Sequence, residues 1–171
     1  GAVGLGELHA DTQGYDIGDA EALGPIMALL REAGALITVH ASEPVGHLYP
    51  GKGRTTPDKL LRFASNFPDN RIVLAHLGGG LPFYEAMPEV GEALKNVWYD
   101  TAALPYLYRS KAVKAAVTTS GAGSILFGTD YPLLAHQRVM AYVKSAHLSP
   151  ADAEAILSGN SSSLLFQKRH D

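Results

Sequence analysis

The chain has 171 residues, 46% hydrophobic and 18% charged, a balance that folds around a core and excludes a disordered chain. Its formal net charge of −3, without a basic block, offers nothing for nucleic acid or an anionic membrane surface to hold. The absence of cysteine excludes disulfides, thiolate metal sites and a Cys nucleophile, and it suits a reducing compartment such as the cytoplasm.

No apolar run approaches the roughly 20 residues that span a bilayer, and the first residues lack the basic-then-apolar pattern of a signal segment. Length favours a single domain over residues 1–171. The chain opens on Gly1-Ala2-Val3-Gly4-Leu5-Gly6-Glu7-Leu8, which reads as a strand from Ala2 to His9. A protein rarely begins inside a buried strand, so the chain is expected to be part of a longer one.

A Gly/Asp-rich loop follows to Gly18, and then a helix over Asp19–Ala33, with Ile26, Leu29, Leu30 and Ala33 at helical spacing and Gly34 as C-cap. Ala35-Leu36-Ile37-Thr38-Val39-His40 is apolar without alternation. It reads as a strand buried on both faces, as in a parallel sheet, ending in a histidine. The longest loop, Ser42–Thr56, carries Glu43, His47, Tyr49, Lys52 and Arg54, and loops of this length in compact domains are commonly functional. Thr56 and Pro57 start a helix through Leu60, Leu61 and Phe63, and Pro68-Asp69-Asn70 turns into the strand Ile72-Val73-Leu74-Ala75-His76.

Gly78-Gly79-Gly80 comes next, in a spacing that matches neither dinucleotide nor phosphate loops. These glycines permit a tight turn or a close backbone approach. Pro88 should interrupt the helical segment that Pro82 opens. Val97-Trp98-Tyr99-Asp100 is a weak fourth strand, Pro105 starts a helix carrying Lys111–Val117, and Ser124–Thr129 is the fifth strand. The tail is helical from Ser149-Pro150, with Asn160 as its stop or cap.

Strands alternating with helices imply βαβ crossovers and a parallel sheet. Five units could be five of the eight strands of a (β/α)8 barrel, or a complete five-stranded flavodoxin-like domain. In either case the carboxyl ends of the strands collect the chemistry. His40, His76 and Asp130 emerge there from three different strands. Two imidazoles and a carboxylate suit a divalent ion, zinc first, with manganese, iron and nickel as alternatives. Such an ion lowers the pKa of bound water, and Asp130 is placed to accept its proton. Glu7, at the end of the first strand, is either a further ligand or half of a polar rim pair with His9. Asp11 reads as a turn residue, and Trp98, Tyr106 and Tyr108 as packing. His136, His147 and His170 read as surface residues, and Ser42 has no nucleophile elbow around it. Glu43, His47, Tyr49 and Lys52 are the candidate substrate contacts.

These motifs resemble the amidohydrolase-related family of metal-dependent hydrolases, the group that includes aminocarboxymuconate-semialdehyde decarboxylase relatives. The matching stretches are Gly4-Leu5-Gly6-Glu7-Leu8, Thr38-Val39-His40-Ala41-Ser42-Glu43-Pro44, Leu74-Ala75-His76-Leu77-Gly78-Gly79 and Leu126-Phe127-Gly128-Thr129-Asp130-Tyr131-Pro132, with a closing helix at Ile156–Asn160 and Leu164-Leu165. The resemblance implies a (β/α)8 barrel. It makes His40 and Glu7 metal ligands, His76 a ligand or water-orienting histidine, and Asp130 a ligand and proton acceptor. It also implies a missing part, because the family's first-strand His-x-His pair occurs nowhere in the chain. The chain then holds strands four to eight, as the carboxyl-terminal portion of a barrel completed by its missing strands or by a second copy. The leading expectation is hydrolysis of a small carbonyl- or carboxyl-containing substrate by metal-activated water. Non-oxidative decarboxylation is the first alternative, and a catalytically silent fragment acting in assembly or binding is the second.

Overall fold

The computed structural model describes residues 2–166; His170 lies outside them. Five strands form one parallel sheet: β1 (Gly4–Leu8), β2 (Leu36–Val39), β3 (Arg71–Leu74), β4 (Val97–Asp100) and β5 (Ile125–Leu126). Their order is sequential, β1-β2-β3-β4-β5. A flavodoxin-like domain would order them 2-1-3-4-5, so that alternative is excluded. Each strand lies beside its predecessor, as in a segment of a barrel wall.

β2, β3 and β5 are short and apolar because both of their faces are covered, whereas β1 is largely exposed. Ile37, Val39, Ile72, Leu74, Val97, Tyr99 and Ile125 point into the main core, against Met27, Leu60, Phe63, Val113 and Ile156 of the helices. The alternate residues Leu36, Val73 and Leu126, with Trp98, form a smaller cluster on the other face, closed by Leu164. The two-residue period of a strand produces this division. Trp98 is therefore packing, as its sequence context suggested.

The helices are α1 (Ala10–Gln13), α2 (Ala20–Glu32), α3 (Pro57–Asn66), α4 (Pro88–Ala93), α5 (Leu104–Leu107), α6 (Lys111–Ser120), α7 (His136–Lys144), α8 (Pro150–Glu154) and α9 (Asn160–Phe166). Asp19 caps α2, its carboxylate accepting from the amides of Glu21 and Ala22 at 3.1 and 3.0 Å. Gly34, at φ 59°, makes the left-handed exit one residue beyond the cap at Ala33. Three differences from the sequence reading have local causes, and the interruption expected at Pro88 is present. The first loop contains α1, because the His9 ring accepts from the Thr12 amide and caps a single turn. Pro88 divides the expected helix into a 3₁₀ stretch, His76–Ala86, and α4. The segment after Pro105 is two helices, α5 and α6. Asn160 does not stop the tail. A π turn over Ala155–Gly159 leads into α9, and the Asn160 side-chain amide donates to the carbonyls of Ala122 and Ile125, both at 2.7 Å. Asn160 thus ties the closing helix to β5, and Arg71 donates to the Leu164 carbonyl from the amino end of β3. Among the described residues no helix is long and apolar enough to cross a membrane.

Candidate metal centre

Three strand ends meet. Glu7 Oε1 lies 2.9 Å from His40 Nδ1 and 3.5 Å from His76 Nε2, and the two ring nitrogens are 3.1 Å apart. Both histidines are buried, at 8% and 5% exposure, while Glu7 faces the open side. β1 brings Glu7 here through an irregularity in its pairing: Leu5 sits opposite Ile37, but Leu8 sits opposite Val39. One extra residue in an otherwise regular ladder re-aims a side chain, as bulges beside active sites do.

The other ring nitrogens have partners of their own. His76 Nδ1 is 3.0 Å from the Ala102 carbonyl, so it carries a hydrogen and Nε2 is the nitrogen that faces the cluster. His40 Nε2 is 3.3 Å from Ser42 Oγ, which also accepts from the Gly53 amide at 2.9 Å. His9 stacks on the His40 ring, centroids 4.1 Å apart and planes 11° from parallel, with its Nε2 3.2 Å from the Gly51 carbonyl. Its role is to support the His40 ring. Glu7 contacts His40 and His76 instead of pairing with His9 on a rim.

The turn after β3 aims His76. His76, Leu77, Gly78, Gly79 and Gly80 have φ of 56°, 55°, 56°, 62° and 97°, five successive left-handed residues. Glycine is required by contact as well as by φ. A Cβ on Gly79 would lie 2.5 Å from the Ser42 carbonyl oxygen, and one on Gly78 would lie 2.8 Å from the Tyr99 ring. The triple glycine therefore lets β3 turn back tightly against the loop that follows β2. Asp100 holds the turn from below. It is half-buried, and its Oδ1 accepts from the amides of His76 at 2.9 Å and Ala102 at 3.0 Å. Asp100 was not singled out in the sequence. The available signal was a fourth strand ending, like its neighbours, in a titratable residue.

Burial works to raise the Glu7 carboxyl, but the bonds and charges of His40 and His76 outweigh it and bring it from 4.5 to about 2. Burial works against charge on His76, yet its bond to Glu7, the Asp100 charge and the Ala102 carbonyl raise it from 6.5 to about 9. Burial pushes Asp100 up, against the pull of His76. Without an ion, the proton thus sits on His76 and the negative charge on Glu7. Three donors 2.9–3.5 Å apart can also share one centre at the roughly 2.0–2.2 Å distances of nitrogen and oxygen ligands, so the set fits a divalent ion.

Asp130 lies outside this tight group. It lines the same cavity, about 480 Å³, from the end of β5 with φ 61°, together with Glu7, His40, His76, His47 and Tyr49. His47 and Tyr49 therefore stand beside the cluster. Glu43 and Lys52 line a neighbouring cavity of about 280 Å³ that shares His47, Tyr49 and Leu107 with the first. Lys52 is engaged in the loop itself, donating to the carbonyls of Val45 at 2.6 Å and His47 at 3.1 Å. Asp11 lies in α1, not in a turn, and accepts from Arg54 and Thr55, fastening the far end of the loop. Tyr106 also lines the larger cavity and Tyr108 the smaller, so both are more than packing.

Known proteins are similar to this chain in sequence and in fold. In the fungus Penicillium expansum, 6-methylsalicylic acid decarboxylase is 27% identical over 151 aligned residues, covering 71% of this chain and 46% of that protein. A dihydroxybenzoic acid decarboxylase of Polaromonas sp. JS666, solved with manganese and the inhibitor 2-nitroresorcinol, superposes with a TM-score of 0.67 at 21% identity, over 82% of this chain and 52% of that one. The 2,6-dihydroxybenzoate decarboxylase of Rhizobium does so with 0.66 at 20% identity, over 94% and 58%. The chain thus spans about half the length of the proteins it matches. The model of the amidohydrolase family described as "Amidohydrolase" matches residues 1–166, and the chain belongs to that family.

Proposed function

We propose that this chain is the carboxyl-terminal portion of a metal-dependent non-oxidative decarboxylase acting on a small aromatic carboxylate. The observation that carries the reading is the convergence of Glu7, His40 and His76 on one point of a cavity wall, with Asp130 on the same wall outside the cluster. Hydrolysis was the leading expectation from the sequence. Its alternative is now favoured, because decarboxylases recur among the similar proteins.

Glu7, His40 and His76 would hold the ion, and Asp130 would complete the set or face the substrate beside it. Once bound, a divalent cation supplies the positive charge that holds and orients a substrate carboxylate. Manganese and zinc both suit a nitrogen and oxygen donor set. The protein's own residues do the rest. Loss of CO2 breaks the bond between ring and carboxylate, and the ring carbon must gain a proton in its place. Asp130 is the carboxyl group of the cavity wall outside the cluster, and it is the acid placed to give that proton. His76, fixed by Asp100 and Ala102, keeps one ring nitrogen directed at the carboxylate end. Tyr106, Leu107 and Leu133 wall the cavity with apolar surface suited to a ring.

The test has two readouts. Titration of the chain with Mn2+, followed by electron paramagnetic resonance, should show one site per chain that His40→Ala removes. Incubation of the manganese-loaded protein with hydroxybenzoates should release CO2 in a way that Asp130→Asn abolishes. Cleavage of an ester or lactone without CO2 release would return the hydrolase reading. Unchanged metal binding and activity in both variants would establish a silent fragment.

A further inference from the structure

The smaller cavity is not used by the metal-facing residues, and its wall holds two unsatisfied groups. Glu43 Oε1 and the Tyr108 hydroxyl are buried and have no hydrogen-bond partner among the described residues. Glu43 Oε2 is occupied, accepting from the Tyr49 hydroxyl at 2.8 Å. A buried polar group left unpaired is costly, and native structures commonly reserve such groups for a water or a ligand. The two are neighbours. Burial, and then the Glu43 charge, raise the Tyr108 phenol far above its usual range, so it keeps its proton and can donate.

The space around them is shaped by a missing side chain. A Cβ on Gly80 would stand 3.6 Å from the Tyr108 hydroxyl and 3.5 Å from the Phe83 ring, filling the approach to both. Phe83, Tyr84 and Leu107 supply the apolar remainder. A hydroxyl satisfies both orphans at once, accepting from Tyr108 while donating to Glu43. An ammonium group cannot accept from Tyr108, and it would share the cavity with the Lys52 cation.

We propose that this cavity is a hydroxyl-recognising site for an apolar-bodied alcohol or phenol, with Glu43 as acceptor and Tyr108 as donor. In the working protein it takes the end of the substrate remote from the metal-facing carboxylate. This second part rests on the decarboxylase reading; the first part does not.

The experiment uses the metal-free chain with benzyl alcohol and toluene as probes, followed by amide NMR. Benzyl alcohol should shift the amides of Gly79, Gly80 and Tyr108 and bind about tenfold more tightly than toluene, the scale of a charge-assisted hydrogen bond. Glu43→Gln and Tyr108→Phe should each remove most of that preference while leaving the other resonances in place. Should Glu43→Gln fold poorly, Tyr108→Phe carries the test, because it removes only an oxygen that nothing in the fold holds. Equal affinity for the two probes, binding of neither, or a preference that survives both variants would overturn the proposal; a site holding only water that neither probe displaces belongs with these. Failure to release CO2 would leave a positive probe result standing. Decarboxylation without any probe preference would remove this inference alone.

Discussion

The His76–Gly80 turn and the Ser42–Thr56 loop border the same cleft and are built on opposite principles. The turn is buried throughout, with five successive left-handed residues wedged between the Ser42 backbone and the Tyr99 ring. The loop is open, with Val45 75% and Leu48 89% exposed, and it is shaped by a few separable bonds from Lys52, Asp11 and Ser42. The turn positions His76 by steric exclusion, which permits one arrangement or none. The loop presents the candidate substrate contacts through hydrogen bonds that can be exchanged one at a time. On the proposed function, the cleft has a rigid reacting end and an adjustable recognising end.

The comparison breaks most severely at Gly79. Gly79→Ala places a methyl against a backbone carbonyl that cannot yield and imposes a left-handed φ, so it should cost roughly 3 kcal/mol or more. Gly51→Ala, at φ 90° with nothing within 4 Å, should cost only about 1 kcal/mol. Denaturant unfolding of both variants measures the contrast, and equal losses would show that contact with Ser42 is immaterial. Next comes His76→Ala, which should weaken Mn2+ binding by at least ~100-fold while the loop's amide exchange stays as it was.

A third measurement concerns protons. His76 is raised to about 9 without metal, so an entering ion must displace a proton. Calorimetry in buffers of different ionisation enthalpy should show proton release, with affinity rising up to about pH 9. In the metal-free chain, the stability from charged His76 is fully present below its unfolded value of 6.5 and is lost as pH rises through about 9. Glu7 contributes with the opposite sign. Its share is present above 4.5 and is lost as pH falls through about 2. Asp100→Asn should have a smaller effect, loosening the His76 amide and lowering metal affinity by ~10-fold in a folded protein. The smallest effect is expected at the loop. Lys52→Met should change stability by no more than about 1 kcal/mol while speeding amide exchange across Ser42–Thr56.

Much of the scaffold was legible because its signals are local. The helix start near Asp19, Pro57 at a helix start and Pro88 as an interruption each act within one turn of backbone, and each was found where it was read. The tail went differently. Asn160 resembles a helix stop, but its amide is consumed by the carbonyls of Ala122 and Ile125, thirty-odd residues away in sequence, and the helix runs on. Asp100 escaped notice for a related reason. Its importance lies chiefly in the backbone amide of His76, at the end of another strand, and a strand ending in aspartate does not announce it.

The sequence by itself determined the class of fold and the residues available for chemistry. Apolar runs without alternation need cover on both faces, and such strands place their last residues on one rim. Tertiary structure alone decided which of those residues meet. Distances between strand ends depend on strand order and register, which no single segment encodes. The sequential order of five strands separates a barrel segment from a flavodoxin-like sheet. The shifted pairing of β1 turns Glu7 onto His40, and the left-handed turn brings His76 to them both. Asp130, an equal of the histidines in the sequence, lines the same cavity but stands outside their cluster.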